Sequence, residues 1–296
     1  MLTNIINQTL LYLLEKMKEE DFSHLSEEEK DIILNKGTEK PFSGEYNNHF
    51  IAGVFICKSC KNKLYESNSK FDSGCGWPSF DDEIPGSINR YEDLSGGRKR
   101  TEICCSNCEG HLGHVFHGER ITEKDTRHCV NSLSIEFKSY KNLNQAFFGG
   151  GCFWSIDKLF NETNGVYMTQ SGYMGGDIEK PTYEEVCKGK TNHAEVVQIY
   201  YDENIVTYEN LLDLFWNNHN PTTLNQQGLD IGTQYRSVIF CTSLNQRNIA
   251  EKSLYAYQNK LKKKIVTEIL MSEEFYRAEE YHQNYLIKNN LSYCRI

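Results

Sequence analysis

The chain has no excess of positive charge: 32 Lys and Arg stand against 41 Asp and Glu, a formal charge of −9. Neutralising nucleic-acid phosphates takes a surplus of basic side chains on one face, so the composition argues against that partner class. The runs Arg98-Lys99-Arg100 and Lys262-Lys263-Lys264 are short and read as solvated turn or helix surfaces. No window reaches about 18 consecutive apolar residues, so no transmembrane helix is expected. The N-terminal stretch Leu10-Leu11-Tyr12-Leu13-Leu14 lacks a basic leader and a small-residue cleavage site, so no secretory signal is expected. Internal repeats and low-complexity tracts are also missing.

What is present is apolar and aromatic material, 39% and 12% of the residues, ample for folded cores. A length of 296 residues suits two domains of about 100–200 residues each. The cysteine count, 11, is high and odd, so disulfides alone cannot account for it, and metal ligation or redox chemistry has to be considered.

Residues 1–33 read as a helical extension, with Leu10, Leu13, Leu14 and Met17 at helical spacing and a capped start at Ser26. Residues 34–140 read as a mainly β domain, with strands such as Gly53–Ile56 and Ser132–Phe137 between turn residues. A polar linker, 141–145, leads to a second domain, 146–296. There, helical patterns (Phe153–Phe160, Tyr208–Asn217, Gln246–Lys263, Glu273–Ile287) alternate with strands (Ala146–Phe148, Glu195–Tyr201, Ser237–Cys241, Ile265–Leu270). That alternation predicts a two-layer α+β sandwich, ferredoxin-like in type.

In the first domain Cys57-x-x-Cys60 and Cys105-x-x-Cys108 supply four soft thiolates in two knuckles, the donor set of a structural zinc site. The competing readings are redox-active pairs or buried free thiols. Cys104, beside the second knuckle, is expected to be a bystander. Cys129 follows Arg127 and His128, and neighbouring positive charge lowers a thiol pKa, which favours the nucleophilic thiolate. His111 and His114 offer hydrogen-bonding or acid groups if they lie nearby; either is equally able to be a structural histidine.

Thr38-Glu-Lys-Pro-Phe-Ser-Gly-Glu-Tyr46, Gly74-Cys-Gly-Trp-Pro-Ser-Phe80, His111-Leu-Gly-His-Val-Phe116 and Arg127-His-Cys-Val-Asn-Ser132 together resemble methionine sulfoxide reductase B over about residues 34–138. The resemblance implies Cys129 as nucleophile, Cys75 as resolving thiol and the two CxxC pairs as zinc ligands. It also implies Trp77, His111, His114, Arg127 and Asn131 as the substrate and acid site, the indole walling the substrate methyl group. One departure is visible. The family commonly has an Asp shortly after the His-Leu-Gly-His-Val-Phe segment, where this chain reads His117-Gly-Glu-Arg120.

In the second domain Gln145-Ala-Phe-Phe-Gly-Gly-Gly-Cys-Phe-Trp154 puts Cys152 after a strand and three glycines, at the start of a predicted helix. Free N–H groups and the helix dipole favour a thiolate there. The turn lacks the Lys-Ser/Thr ending of a P-loop and the spacing of a dinucleotide fingerprint. This segment, with Ser171-Gly-Tyr-Met-Gly-Gly176, Pro181-Thr-Tyr183, His193-Ala-Glu195 and Asp230-Ile-Gly-Thr-Gln-Tyr-Arg-Ser237, resembles methionine sulfoxide reductase A over about residues 145–296.

That second resemblance implies that Cys152 attacks the sulfoxide sulfur, that Phe153 and Trp154 line the methyl pocket, and that Glu195, Tyr183 and Tyr235 hydrogen-bond the sulfoxide oxygen. Asp230 helps to hold this polar network. The oxygen must be protonated as sulfur accepts the thiolate, so Glu195 is expected to work as a neutral acid. The sulfenic acid left on Cys152 condenses with a second thiol. Cys294 near the C-terminus is the resolving candidate and Cys187 the alternative, while Cys241 reads as structural.

The function implied is reduction of free and protein-bound methionine sulfoxide, the S epimer in the A-type domain and the R epimer in the B-type domain, one enzyme per epimer. Each catalytic disulfide would be recycled by thioredoxin, which with the missing signal gives a cytoplasmic location. A zinc-ribbon binding module and a thiol peroxidase are the alternatives; the acidic charge and the extra thiols weigh against the first, and a substrate comparison separates the second.

Overall fold

The Ser26 hydroxyl accepts the backbone N–H of Glu29 while the Glu29 carboxylate accepts that of Ser26, and this reciprocal cap starts α1, Glu27–Ile33. The structure, a computed structural model, describes residues 22–292. The helical reading of residues 1–21 and the position of Cys294 therefore lie outside the described residues. The chain divides between Asn142 and Leu143 into two compact units.

In the first unit α1 buries Ile32 and Ile33, and an ion pair from Lys58 to Glu29, 3.2 Å, ties it to the first cysteine knuckle. A Cβ at Gly110 would lie 2.9 Å from the Ile33 side chain, so glycine there lets the helix approach the second knuckle. The strands are β1 Gly53–Cys57, β2 Lys63–Glu66, β3 Lys70–Phe71, β4 Ser79–Phe80, β5 Ile88–Asp93, β6 Arg100–Cys105, β7 His111–His117, β8 Thr126–Val130 and β9 Ile135–Ser139. They form a three-stranded sheet, β2–β1–β9, and a six-stranded sheet, β3–β4–β8–β7–β6–β5, antiparallel throughout. Phe80 of the larger sheet stacks on Tyr65 at 4.2 Å and meets Phe55 edge-on at 5.0 Å, joining the two sheets through rings that are fully buried. Burial of each such ring stabilises the fold by about 2–3 kcal/mol. The expected strand Ser132–Phe137 starts later, because Ser132–Ser134 coils into a 3-10 turn in which the Ser134 hydroxyl donates to the His111 carbonyl.

The second unit contains β10 Asn144–Gly150, α2 Phe153–Asn161, β11 Val166–Met174, α3 Tyr183–Cys187, β12 Ala194–Tyr201, α4 Tyr208–Asn217, β13 Gln226–Gln227, β14 Asp230–Ile231, β15 Ser237–Cys241, α5 Leu244–Gln258, β16 Glu268–Met271, β17 Tyr276–Arg277 and α6 Tyr285–Lys288. The main sheet runs β16–β15–β10–β12–β11–β17, with only the β15–β16 pair parallel. Strand alternation sorts its side chains. Phe148, Val197 and Ile239 join the core formed with Phe153 and Phe160 of α2 and Leu212 and Phe215 of α4. Phe147, Val196 and Phe240 fill a smaller cluster with Phe275. This is an α+β unit. Among the described residues no helix is long and apolar enough to cross a membrane.

Two helical expectations need correction. The pattern read as a helix over Gln246–Lys263 stops at Gln258, whose side chain donates to the Lys263 carbonyl and accepts the Ile265 N–H, so it closes the following loop instead of adding a turn. The segment Glu273–Ile287 is not one helix: Tyr276 and Arg277 pair with β11, the Ala278 N–H bonds the Ser171 carbonyl, Glu280–His282 makes a 3-10 turn, and only from Tyr285 is it α-helical, in α6. Its buried residues Ala278, His282 and Leu286 mimic helical spacing while facing the edge of the sheet and α2. The strand expected at Ile265–Leu270 is Glu268–Met271.

Candidate active sites and metal centre

Cys57 ends β1 and Cys105 ends β6, and both enter turns of one design. The Cys57 carbonyl accepts the Lys61 N–H and its N–H donates to Asn62; the Cys105 carbonyl accepts the Glu109 N–H and its N–H donates to Gly110. Lys61 and Glu109 have φ of 63° and 60°, the left-handed residue with which the chain turns out of each knuckle after its second cysteine. The four Sγ atoms of Cys57, Cys60, Cys105 and Cys108 lie within 4.8 Å of one another, with the 57–108 and 60–105 pairs at 3.6 Å. Thiolates about 2.3 Å from one tetrahedral ion stand about 3.8 Å apart, so the cluster is compatible with a metal ion. The Asn62 amide donates to the Cys105 sulfur at 3.5 Å, an outer contact of the kind that steadies a ligand. Cys104 belongs to a separate buried group with Glu102 and His111.

Cys129 lies in β8, opposite Ser79 of β4 on one side and His114 of β7 on the other. Cys75, in the loop between β3 and β4, brings its sulfur to 3.9 Å from that of Cys129. That loop can lie on the Pro41–Phe42 turn because residue 76 is glycine: its φ is +93°, and a Cβ would stand 2.8 Å from Pro41. The two sulfurs share a proton unequally. The bond from the Cys129 thiol, helped by the Ser73 and Ser79 hydroxyls, lowers Cys75 to about 4 against the opposing effect of burial. Cys129 is raised by the Cys75 bond and by burial, with Arg127 acting in the other direction. The two shifts run in opposite directions because one hydrogen bond joins the two sulfurs.

The Arg127 guanidinium is gripped by both carboxylate oxygens of Glu119, at 2.6 and 2.8 Å, and lies over the Phe116 ring. Glu119 is thus the acid in the segment where the expected Asp is missing. His111 is buried, its Nδ1 2.7 Å from Glu102, and Lys36 holds the other Glu102 oxygen at 2.7 Å. Burial opposes ionisation of Glu102, but these two bonds pull it down to about 2. His114 Nε2 meets Asp93 at 2.8 Å, and its ring lies 5.6 Å from that of His111. Trp77 Nε1 donates to the Glu39 carbonyl at 3.1 Å. Asn131 is buried with both ends of its amide on backbone, accepting from Glu39 N–H and donating to the Leu112 carbonyl. Glu39, which sequence reasoning passed over, also receives the Ser132 and Leu133 N–H groups on its buried carboxylate and so ties the N-terminal loop to the Cys129 loop.

In the second unit Cys152 occupies the N-cap of α2, buried, after Gly151 at φ +95°. Glu195, buried in β12, accepts the Phe153 N–H at 3.0 Å. Trp154 stacks on Tyr285 at 3.9 Å and donates from Nε1 to His282 Nδ1 at 3.1 Å. Tyr183 starts α3; its ring is 4.4 Å from His282 and its N–H donates to Glu279. Burial raises Tyr183 and Tyr235, and the Glu195 charge adds to both, so their hydroxyls remain proton donors. Asp230 sits in β14, and burial raises its carboxyl. Cys187 is exposed at the end of α3 and hydrogen-bonds the Tyr183 hydroxyl. Cys241 is buried in β15, 4.0 Å from the Tyr208 hydroxyl. Glu279 and Gln283, which fix this wall to β11, and His282, which accepts from Trp154, carried no signal beyond a lone histidine in a polar stretch.

A family model described as peptide methionine sulfoxide reductase matches residues 144–296, and one described as SelR domain matches residues 25–139. This chain belongs to the peptide methionine sulfoxide reductases. It carries both reductase modules and is an oxidoreductase of that class. Among curated relatives, the peptide methionine sulfoxide reductase MsrA of Methanococcus maripaludis is 52% identical over 149 residues, 50% of this chain and 95% of the relative. Peptide methionine sulfoxide reductase A3 of Arabidopsis thaliana is 52% identical over 143 residues, 48% of this chain and 71% of the relative. Of solved structures, methionine sulfoxide reductase A of Corynebacterium diphtheriae shares 41% identity at a TM-score of 0.50, over 52% of this chain and 78% of that one. Reduced Mxr1 from Saccharomyces cerevisiae shares 36% at 0.50, over 52% and 90%.

Proposed function

We propose that the chain reduces free and protein-bound methionine sulfoxide to methionine, the R epimer in the first unit through Cys129 and the S epimer in the second through Cys152. The observation that carries this reading is a thiol at a prepared position in each unit: Cys129 beside a second sulfur, and Cys152 at a helix start beside a buried acid. In each, the cysteine sulfur bonds to the sulfoxide sulfur as the oxygen takes a proton; the hydroxyl then passes to the cysteine sulfur as both of its links to the methionine sulfur break, so methionine leaves reduced and the cysteine becomes a sulfenic acid. A second thiol then attacks that sulfur and releases water, forming Cys129–Cys75 or Cys152–Cys294.

In the second unit Glu195, Tyr183 and Tyr235 deliver hydrogen bonds to oxygen, Phe153 and Trp154 hold the methyl group, and Asp230 steadies the network. In the first, Trp77 takes the methyl-facing role, His114 and His111 the acid role, and Arg127 and Asn131 hold the strand that presents Cys129. The strand order β15–β10–β12–β11, antiparallel throughout, supports a ferredoxin-like reading of the second unit. The soft Cys57, Cys60, Cys105 and Cys108 set supports zinc, which when bound supplies a redox-inert structural clamp. Thioredoxin is the proposed reductant, and the cytoplasm, where thiols are kept reduced, the proposed location.

The test is reduction of separated R and S methionine sulfoxide with dithiothreitol by the intact chain, Cys129→Ser and Cys152→Ser. Each substitution is expected to abolish one epimer only. Reduction of peroxide with neither epimer touched would instead mark a thiol peroxidase.

A further inference from the structure

The Ser43 N–H and hydroxyl both return to the Lys40 carbonyl, at 3.2 and 2.7 Å, and close a tight turn with Pro41 and Phe42 at its centre. The proline ring holds φ at about −65° at the first central position, and Phe42 follows with φ +65°. This is a type II turn, whose second central position belongs by preference to glycine or asparagine, and a bulky side chain there is strained. The Phe42 side chain is also 68% exposed. The turn has a task, since the Phe42 N–H donates to the Gly76 carbonyl at 2.7 Å, but glycine would make that bond without strain. A lone exposed ring is ordinary on a protein surface; one held there against the preference of its backbone calls for a use.

The turn is pinned on two sides to the proposed R-sulfoxide site. Gly76, against which it packs, stands between Cys75 and Trp77, and a Cβ there would meet Pro41 at 2.8 Å and the Phe42 ring at 3.1 Å. The Trp77 indole donates to the carbonyl of Glu39, the residue just before the turn, at 3.1 Å. On the other side the Glu39 N–H donates to Asn131 and its carboxylate accepts the Ser132 N–H, two and three residues beyond Cys129. Cys75, Trp77 and Cys129 are each half-buried. The Phe42 ring therefore stands in water beside the loop that carries Cys75 and the indole, at a place fixed by both of the segments that bear the two sulfurs.

We infer that Phe42 is a specificity-determining residue for polypeptide substrates, its ring packing against an apolar side chain that neighbours the methionine sulfoxide in the substrate's own sequence. The inference rests on the proposed R-epimer reduction at Cys129 and adds which form of the substrate the first unit prefers. Free methionine sulfoxide ends in two hydrated charges, whereas a polypeptide presents flanking side chains, and segments that carry methionine, a residue most often buried, carry other apolar residues too. An exposed ring gains contact area from the second and little from the first. Phe42 makes and breaks no bond, so its loss is read in KM and not in kcat.

The test uses the full chain with dithiothreitol and three substrates: free R methionine sulfoxide, and two acetylated, amidated tripeptides in which that sulfoxide is flanked by leucine or by glycine. Wild type is expected to show the lowest KM for the leucine-flanked peptide. Phe42→Gly and Phe42→Asn, which suit the left-handed turn, are expected to raise that KM about tenfold relative to the other two substrates, with kcat and the thermal unfolding midpoint held, and Phe42→Tyr to keep the wild-type preference. Equal KM values for the two peptides in wild type, or a wild-type preference in both variants, overturns the inference. So does an equal loss on all three substrates, which would leave the turn as no more than a support for Trp77. If wild type reduces none of the three, the proposed function itself fails, an outcome distinct from these.

Discussion

Glu195 accepts the backbone N–H of Phe153 at 3.0 Å, which docks a buried acid on the first turn of the helix that begins at Cys152. The proposed nucleophile and acid are thereby tied by one hydrogen bond across two elements, β12 and α2. Glu195→Gln keeps an acceptor for Phe153 and removes the proton donor. It should slow the first turnover of S sulfoxide about 10²- to 10⁴-fold at neutral pH, the usual range for loss of a general acid, while R reduction is unchanged. Single-turnover assays with each epimer check this, and a near-wild-type S rate would remove Glu195 from the chemistry.

The Cys75–Cys129 pair makes a statement about reactivity. With Cys75 lowered to about 4, it should be the first thiol of the pair alkylated in reduced protein at mildly acidic pH. In Cys75→Ser the largest influence raising Cys129 is gone, so alkylation of Cys129 should shift to lower pH, leaving Arg127 to favour its thiolate. Mass-spectrometric mapping of iodoacetamide adducts against pH decides the matter; a profile with Cys129 below Cys75 in the wild type would reverse the assignment.

Metal removal should separate the units. Structural zinc contributes on the order of 10 kcal/mol to a small domain, so Cys57→Ser or exhaustive chelation should drop bound metal from about one ion per chain to none and abolish R reduction. S reduction should persist, because no cysteine of the second unit belongs to the cluster. Elemental analysis of the purified chain tests the metal independently of activity.

Acid should destabilise both units through buried histidines. Burial lowers His128, in the first unit beside Tyr65, Arg90 and Glu83, to about 4, and His219, in the second between Phe215 and Ser237, to about 4. The unfolded chain binds these protons near pH 6.5, so stability is full above that and falls as pH drops toward 4, by about 3 kcal/mol per histidine. Urea midpoints followed by epimer-specific activity should show this slope in both units. His128→Gln should flatten it for the R activity alone.

Legibility in the sequence followed from where the information was local. The clustering of the knuckles was readable because two residues between cysteines sets both sulfurs of a turn on one side, and the helix start at Cys152 because glycine, cysteine and an apolar helix face are contiguous. Strands β1 and β15 showed in their apolar runs. The supports of the site were not readable, since Glu39 reaches Ser132 across 93 positions and Trp154 reaches His282 across 128. Glu273–Ile287 misled for a physical reason: an edge strand, a 3-10 turn and a left-handed residue at Asn284 before α6 put buried residues four apart.

The four-cysteine cluster joins the end of β1, in the three-stranded sheet, to the end of β6, in the six-stranded one. Two disulfides at those positions would crosslink the same strands. They would also be substrates for any dithiol able to regenerate the proposed catalytic cysteines, so each cycle would put the scaffold at risk of being undone by its own reductant. Zinc held by the four thiolates would leave no S–S bond for a dithiol to exchange. With zinc bound, the same side chain would serve as a permanent staple in one corner of the unit and, in the proposed cycle, as a reversible one at Cys75 and Cys129.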